Sequence, residues 1–325
     1  MIPRRFALKT ICFVLATSTV VVAQGQAVSQ TSISQKQQVL WDKLGPQIRG
    51  IDANLDGVIG LAIEDLTSGH TFFLHEDEIF PQASTIKITV LAELYHQSQQ
   101  SESGAQGKAR LTDMYTVQAK DLVQDSDIMG GLTASVTQLT NRDLATMMVA
   151  VSDNSAANVL IDRVGMKNVN ALLDSLGLAH TRLQRKMMDL KAASEGRENL
   201  STPREMMILL ENIYRGKVLN ENNTQDFWQM LSTHKQSTIS RNLPDGVRVA
   251  DKPGELEGVR NDCGVVFVPN RPYVLCVMTS YLHNERDGEE AISRVSAAAY
   301  GMFDRLGRAS EYGRVVSSAN SNNAH

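Results

Sequence analysis

Residues 247–281 read VRVADKPGELEGVRNDCGVVFVPNRPYVLCVMTSY, and the way this stretch divides decides the fold. It holds three β-rich runs, Val247–Lys252, Gly258–Val268 and Tyr273–Tyr281. Between the last two lies Pro269-Asn270-Arg271-Pro272, a turn-forming cluster that predicts a hairpin. Beyond it, Glu289–Leu306 reads as a closing helix, with Ile292, Val295, Ala299, Met302, Phe303 and Leu306 at helical spacing.

The preceding part of the chain is helical in pattern. Thr202-Pro203-Arg204-Glu205 opens a helix with proline at its first position, running to Gly216. Ser155–Val164 is another, stopped at Gly165, and Thr140-Asn141-Arg142-Asp143 is a capping-box-like start before Leu144, Met147, Met148 and Val151. From Ser84 to about Gln97, Ile86, Val90, Leu91 and Leu94 share one side of a helix. Ahead of it, Gly57–Asp65 and His70–His75 read as strands joined across Leu66-Thr67-Ser68-Gly69, and Val39, Leu40 and Leu44 fit a short amphipathic helix. Two early strands, a helical block, three late strands and a closing helix define an α+β fold. The strands from both ends must assemble into one five-stranded antiparallel sheet flanked by helices, with the helical block inserted as a second lobe. The expected sheet-bearing lobe is 38–83 with 235–308, and the all-helical lobe is 84–234. A cleft between them is the natural place for a small ligand.

The 325 residues are 42% hydrophobic and 21% charged, enough for a substantial core. A formal charge of −4 offers no basic field for nucleic acid, and 22 Gly with 8 Pro exclude a collagen-like or linker-dominated chain. Arg4, Arg5 and Lys9 precede the apolar stretch Ile11–Val22, which ends in small residues before Gln24. That order predicts a secretory signal peptide at 1–23. A spanning helix needs about 20 apolar residues, and Thr17, Ser18 and Thr19 interrupt this one. No stable membrane insertion is expected once the signal is removed, and the setting is secreted, periplasmic or extracellular. Arg4-Arg5 leaves both the general and the twin-arginine routes open. Residues 24–37 read as a flexible leader and 309–325 as a disordered tail.

Cys263 and Cys276 flank the hairpin turn. A disulfide in an oxidising compartment and two separate buried thiols both fit that placement. The seven His residues form no H-x-H or H-E-x-x-H pattern, and no Cys pair has zinc spacing. Neither a metal nor an organic cofactor is indicated, and a monomer is expected.

Three short motifs can carry chemistry. In Ser84-Thr85-Ile86-Lys87 the lysine falls one helical turn after the serine, on the same face. A serine hydroxyl needs a neighbour to take its proton, and a neutral buried lysine can do so. Ser152-Asp153-Asn154 lies between two helices, where a helix cap alone would explain its Asp or Asn. Lys252-Pro253-Gly254 closes a late strand; the lysine can hold an anion, and the glycine lets a substrate approach the strand edge. Each is weak alone. Their order and context together are specific.

On these motifs the chain resembles the class A β-lactamase family of penicillin-recognising serine enzymes, over about Gln38 to Leu306. The resemblance extends to Ser155-Ala156-Ala157-Asn158 and Thr181-Arg182-Leu183. It implies that Ser84 is the acylated nucleophile and Lys87 its proton partner. Ser152 would relay a proton to the leaving β-lactam nitrogen, Asn154 would hold the substrate's side-chain amide, and Lys252 would attract its carboxylate. The backbone N–H groups of Ser84 and Glu255 would form the oxyanion hole. Arg260 sits where many members place a carboxylate-binding arginine, provided the Glu255–Glu257 turn is one residue shorter here.

The departures concern turnover. The family's deacylation base is a glutamate in the loop after Thr-Arg-Leu, a stretch that reads Arg185-Lys186-Met187-Met188-Asp189-Leu190-Lys191 here. Counting from Thr181 puts Met187 at that position, and counting from Ser152 gives Met188; a thioether takes no proton from water. Lys191 stands where the family has an asparagine, and with a loop one residue shorter Asn199 replaces the aspartate that normally pairs with the loop arginine, here Arg185. Asp189 is the nearest substitute base; Glu195 and Glu198 would need the loop to fold differently. Pro253 replaces a serine or threonine. The expected function is a serine β-lactamase-like hydrolase with slow deacylation. A peptidoglycan peptidase or other amide or ester hydrolase, and a penicillin-binding protein that does not turn over, are the alternatives.

Overall fold

The computed structural model describes residues 1, 34–310 and 312–315. Residues 2–23 of the signal-peptide assignment and 24–33 of the leader fall outside that range, as do residue 311 and the tail from 316. In chain order the elements begin with α1 Gln35–Asp52, β1 Val58–Asp65, β2 Thr71–Leu74, β3 Phe80–Pro81, a 3₁₀ turn at Ala83–Ile86 and α2 Lys87–Glu102. Next come β4 Met114–Thr116, β5 Gln138–Thr140, α3 Asn141–Ala150, α4 Asn154–Val164, α5 Met166–Ser175, α6 Leu190–Ser194 and β6 Leu200–Ser201. The chain closes with α7 Pro203–Tyr214, α8 Glu221–Leu231, β7 Arg248–Leu256, β8 Val259–Phe267, β9 Tyr273–Ser280 and α9 Glu285–Arg308.

The main sheet has five strands in the order β2-β1-β9-β8-β7, every neighbouring pair antiparallel. Strands from both ends of the chain therefore meet, β1 lying beside β9. Alternation divides β1 and β9 between two cores. Leu61, Ile63, Leu275 and Val277 face α1 and α9, where Tyr273 stacks on Phe303 at 4.1 Å. Ala62, Val274, Cys276 and Met278 face the helical block. Both faces are covered, which is why β9 is buried from end to end and reads as an unbroken apolar run. Cys263 and Cys276 are register partners on β8 and β9, buried and free as thiols.

Several boundaries differ from the sequence reading, each with a local cause. The first helix begins at Gln35, inside the expected leader, because Ser34 caps it and Gln37 completes a capping box. The closing helix begins at Glu285, where Asn284 accepts from the Arg286 N–H. Ala309 and Val315 form an isolated antiparallel bridge, where a disordered tail was expected. Most relevant to the site, Ser84 does not open an α-helix: it lies in the 3₁₀ turn, and Lys87 is the first residue of α2. Pro253 lies inside β7, which its position at the sheet edge tolerates.

Candidate active site

The 3₁₀ turn bearing Ser84 is entered through Ala83 at φ 49°, a left-handed conformation that is uncommon without glycine. Strand β7 presses against this turn. A Cβ on Gly254 would meet Thr85 Oγ1 at 2.6 Å and Gln82 O at 2.8 Å, so only glycine fits. Thr85 Oγ1 donates to Lys252 O at 3.2 Å and Asn261 Nδ2 to Pro81 O at 2.7 Å, tying turn and sheet together. Opposite them, Ser152 adopts φ 57° just before α4. Asp153 caps that helix through Oδ1 to the Ala156 N–H, and its Oδ2 accepts from Ile128 and Met129 N–H. The central aspartate of the second motif is thus structural, which leaves Ser152 and Asn154 for the cleft.

A cleft of about 540 Å³ opens between these segments, lined by Ser84, Ser152, Asn154, Lys252, Pro253 and Glu255 among others. Ser152 Oγ is its hub. It lies 2.9 Å from Ser84 Oγ and 3.0 Å from Lys87 Nζ, and accepts from Lys252 Nζ at 3.1 Å. Lys87 Nζ also donates to Ser152 O at 2.5 Å and Asn154 Oδ1 at 2.8 Å, and Lys252 Nζ to Pro253 O at 2.8 Å. The sequence placed Lys87 against Ser84 directly; the structure connects them through Ser152.

Both lysines are 1% exposed, and neither forms an ion pair with a carboxylate among the described residues. An isolated buried ammonium costs on the order of tens of kcal/mol by simple solvation, so such a group gives up its proton instead. Burial, and then the Lys252 charge, hold Lys87 well below the ordinary lysine range, against an opposite pull from Asp153 and Asp125. Burial lowers Lys252 to about 8, with Asp262 opposing. Lys87 is therefore fitted to be the neutral partner and Lys252 the charged one.

Ser84, Lys87, Ser152, Asn154, Lys252, Gly254 and Glu255 are thus gathered at one place. Two expected residues are not. The Arg260 guanidinium donates to Glu289 Oε1 at 3.2 Å and to the Leu256 and Val259 carbonyls, which holds it to α9 and its own turn rather than the cleft. Asp189 is exposed and caps α6, its Oδ1 accepting from the Ala192 N–H at 3.0 Å. The other two carboxylates are also committed: Glu195 pairs with Arg197, and Glu198 with Arg185 at 2.9 Å. The loop arginine therefore keeps an ion pair, made with Glu198, where the substitution at Asn199 had predicted its loss. Asn199 holds the loop by its main chain, Oδ1 accepting from Gln184 and Arg185 N–H and Nδ2 donating to Arg185 O. Met187 is 7% exposed and part of the helical core. The cleft is also lined by Asp125, Asp127, Lys235 and Gln236, which no motif marked because they come from loops placed only by the fold.

A buried lysine is thus joined through one serine to a second, at the junction of a helical block and an antiparallel sheet. The chain belongs to the β-lactamase enzyme family, whose profile matches residues 43–303, and within it to class A. It is 27% identical over 272 residues to β-lactamase SME-1 of Serratia marcescens, covering 81% of this chain and 90% of that protein. The β-lactamase structure from Sphaerobacter thermophilus superposes with a TM-score of 0.71 at 30% identity, over 80% of this chain and 96% of that one. A leucine-to-glutamate variant of PBP-A, solved as an acyl-enzyme complex with penicillin G, gives 0.73 at 25% identity, over 82% and 98%.

Proposed function

We propose that this protein is a serine hydrolase that opens β-lactam amides through an acyl-enzyme on Ser84 and releases the acyl group slowly. The observation that carries this reading is the hydrogen-bonded chain Lys87–Ser152–Ser84, with Nζ–Oγ and Oγ–Oγ distances of 3.0 and 2.9 Å. Neutral Lys87 takes the Ser84 proton through the Ser152 hydroxyl as Ser84 Oγ bonds to the carbonyl carbon. The negative charge that develops on the carbonyl oxygen falls to the N–H groups of Ser84 and Glu255. Ser152 returns a proton to the ring nitrogen as the amide bond breaks, and the Lys252 ammonium holds the substrate carboxylate. Asn154 binds the side-chain amide.

Deacylation needs a base for water, and the candidates are occupied elsewhere. Asp189 caps a helix, Glu195 and Glu198 are ion-paired, and Met187 fills the core. A persistent adduct makes this chain functionally a penicillin-binding protein, a reading that the likeness to PBP-A supports. Export through the signal at 1–23, placing the enzyme where β-lactams and cell-wall peptides occur, rests on the N-terminal sequence pattern. Incubation with a reporter β-lactam followed by quench-flow tests the reading: one equivalent of product should appear in a burst, followed by a slow steady rate. A linear course without a burst contradicts it.

A further inference from the structure

We infer, building on the reading just proposed, that the site prefers acyl donors whose side chain carries a cationic amine, received by Asp125 and Asp127 at the cleft rim. The cleft is electrically divided. Lys252 and Lys235 lie on its sheet side, with Glu255 on the same rim, while Asp125 and Asp127 lie on the loop across from them. Lys235 is already engaged, donating to Leu231 O at 2.7 Å and to Asp251 Oδ1 at 3.4 Å. Asp125 and Asp127 are exposed, and their carboxylates have no hydrogen-bond or ion-pair partner among the described residues. A substrate that places its own carboxylate on Lys252 thus extends its other end toward two carboxylates without counterions.

The loop that carries them is fixed to the catalytic segment. Val123 N–H donates to Ser155 Oγ at 2.8 Å, and Ser155 N–H to Ser126 Oγ at 2.9 Å. Asp153 Oδ2 holds the Ile128 and Met129 N–H groups. Asn154 reaches both neighbours of the rim, its N–H donating to Asp125 O at 3.3 Å and its Nδ2 to Gln124 O at 3.4 Å. The residue that binds the substrate's side-chain amide is therefore joined directly to Asp125. The carboxylates are held near the path of the acyl substituent before any substrate arrives, so little ordering accompanies binding. Two exposed pairs of this kind amount to roughly fivefold to tenfold in binding, and salt screens them.

Three penicillins of one scaffold, with acyl chains ending in a primary amine, a methyl group and a carboxylate, provide the test. The rate of adduct formation on the full-length mature protein is followed by intact mass at low and high salt. The amine is expected to react fastest and the carboxylate slowest, with their ratio falling toward one in high salt and in Asp125→Asn with Asp127→Asn. Asparagine matches aspartate in shape and tolerates the φ of 54° at residue 125. Equal rates for the three, or a preference that survives both salt and substitution, overturn the inference. The salt series on the unsubstituted protein decides the matter even if the variant misfolds. Absence of an adduct with all three is a different result: it removes the acylation reading, and this inference with it.

Discussion

The side-chain amide of Asn158 holds the main chain of Met187 at both ends: Oδ1 accepts its N–H at 2.8 Å and Nδ2 donates to its carbonyl at 3.0 Å. Asn158 belongs to α4, the helix that follows Ser152 and begins at Asn154. Residue 187 is thereby fixed relative to the Ser152–Asn154 segment. Of the two sequence counts, the one from Thr181 identifies the residue held in this way. Met187→Glu should accordingly supply the missing base and raise the deacylation rate about a hundredfold, the lower part of the range for general-base catalysis. Single-turnover decay of the adduct measures it; an unchanged decay rate would show that the position does not reach the hydrolytic water.

Asp189→Asn should leave deacylation unchanged. Asparagine caps a helix as well as aspartate does, and capping α6 is what Asp189 does here. A loss of turnover of tenfold or more in this variant would restore Asp189 as the substitute base.

Acylation should follow a bell-shaped pH profile. The Lys252 ammonium exists below about 8, so attraction for the substrate carboxylate is lost as pH rises through that value. Lys87 must be neutral to accept a proton, and its lowered pKa places that loss on the acid side. Lys252→Gln should reduce acylation by about tenfold to a hundredfold, as expected for a lost charged hydrogen bond, and flatten the alkaline limb. An unchanged limb assigns it to another group.

Gly254→Ala should disable acylation, because its Cβ would meet backbone and hydroxyl atoms of the Ser84 turn at 2.6 to 2.8 Å. Overpacking of this kind costs about 1–3 kcal/mol, so the melting temperature should fall by several degrees along with the rate of adduct formation. Wild-type behaviour in both would show that β7 can draw back from the turn.

Stability should also depend on pH through Glu64. Burial and the nearby Glu211 raise its carboxyl from the ordinary 4.5 to about 7, against the pull of Arg215. A raised folded-state pKa means that the folded protein binds the proton more tightly than the unfolded chain. Stability therefore declines as pH rises from 4.5 to about 7, by a contribution on the order of 3 kcal/mol. Denaturant titrations of Glu64→Gln across that range should lack this slope.

The architecture was legible because periodicity and turn chemistry are local. The runs in 247–281, the stop at Gly165 and the proline start at Pro203 each specify an element without reference to the rest of the chain. Motif residues that the fold must bring together, Ser84, Lys87, Ser152 and Lys252, were legible through their order. What escaped were partnerships between distant side chains. Nothing local to Arg260 indicates Glu289, and nothing in the 185–199 loop shows that Glu198 takes Arg185 while Asp189 turns to cap a five-residue helix. The Ser152 hub escaped for the same reason, since Lys87 and Ser152 are 65 residues apart.

The most direct measurement is intact-mass spectrometry of the mature protein mixed with a reporter β-lactam, followed beside hydrolysis over many equivalents. Formation of one adduct that is absent in Ser84→Ala and persists while little substrate is consumed is the expected result. No adduct on folded protein, or an adduct that also forms in Ser84→Ala, would contradict the assignment of Ser84 as the nucleophile. An adduct that clears as fast as substrate is hydrolysed would contradict slow deacylation and show that a base is present after all.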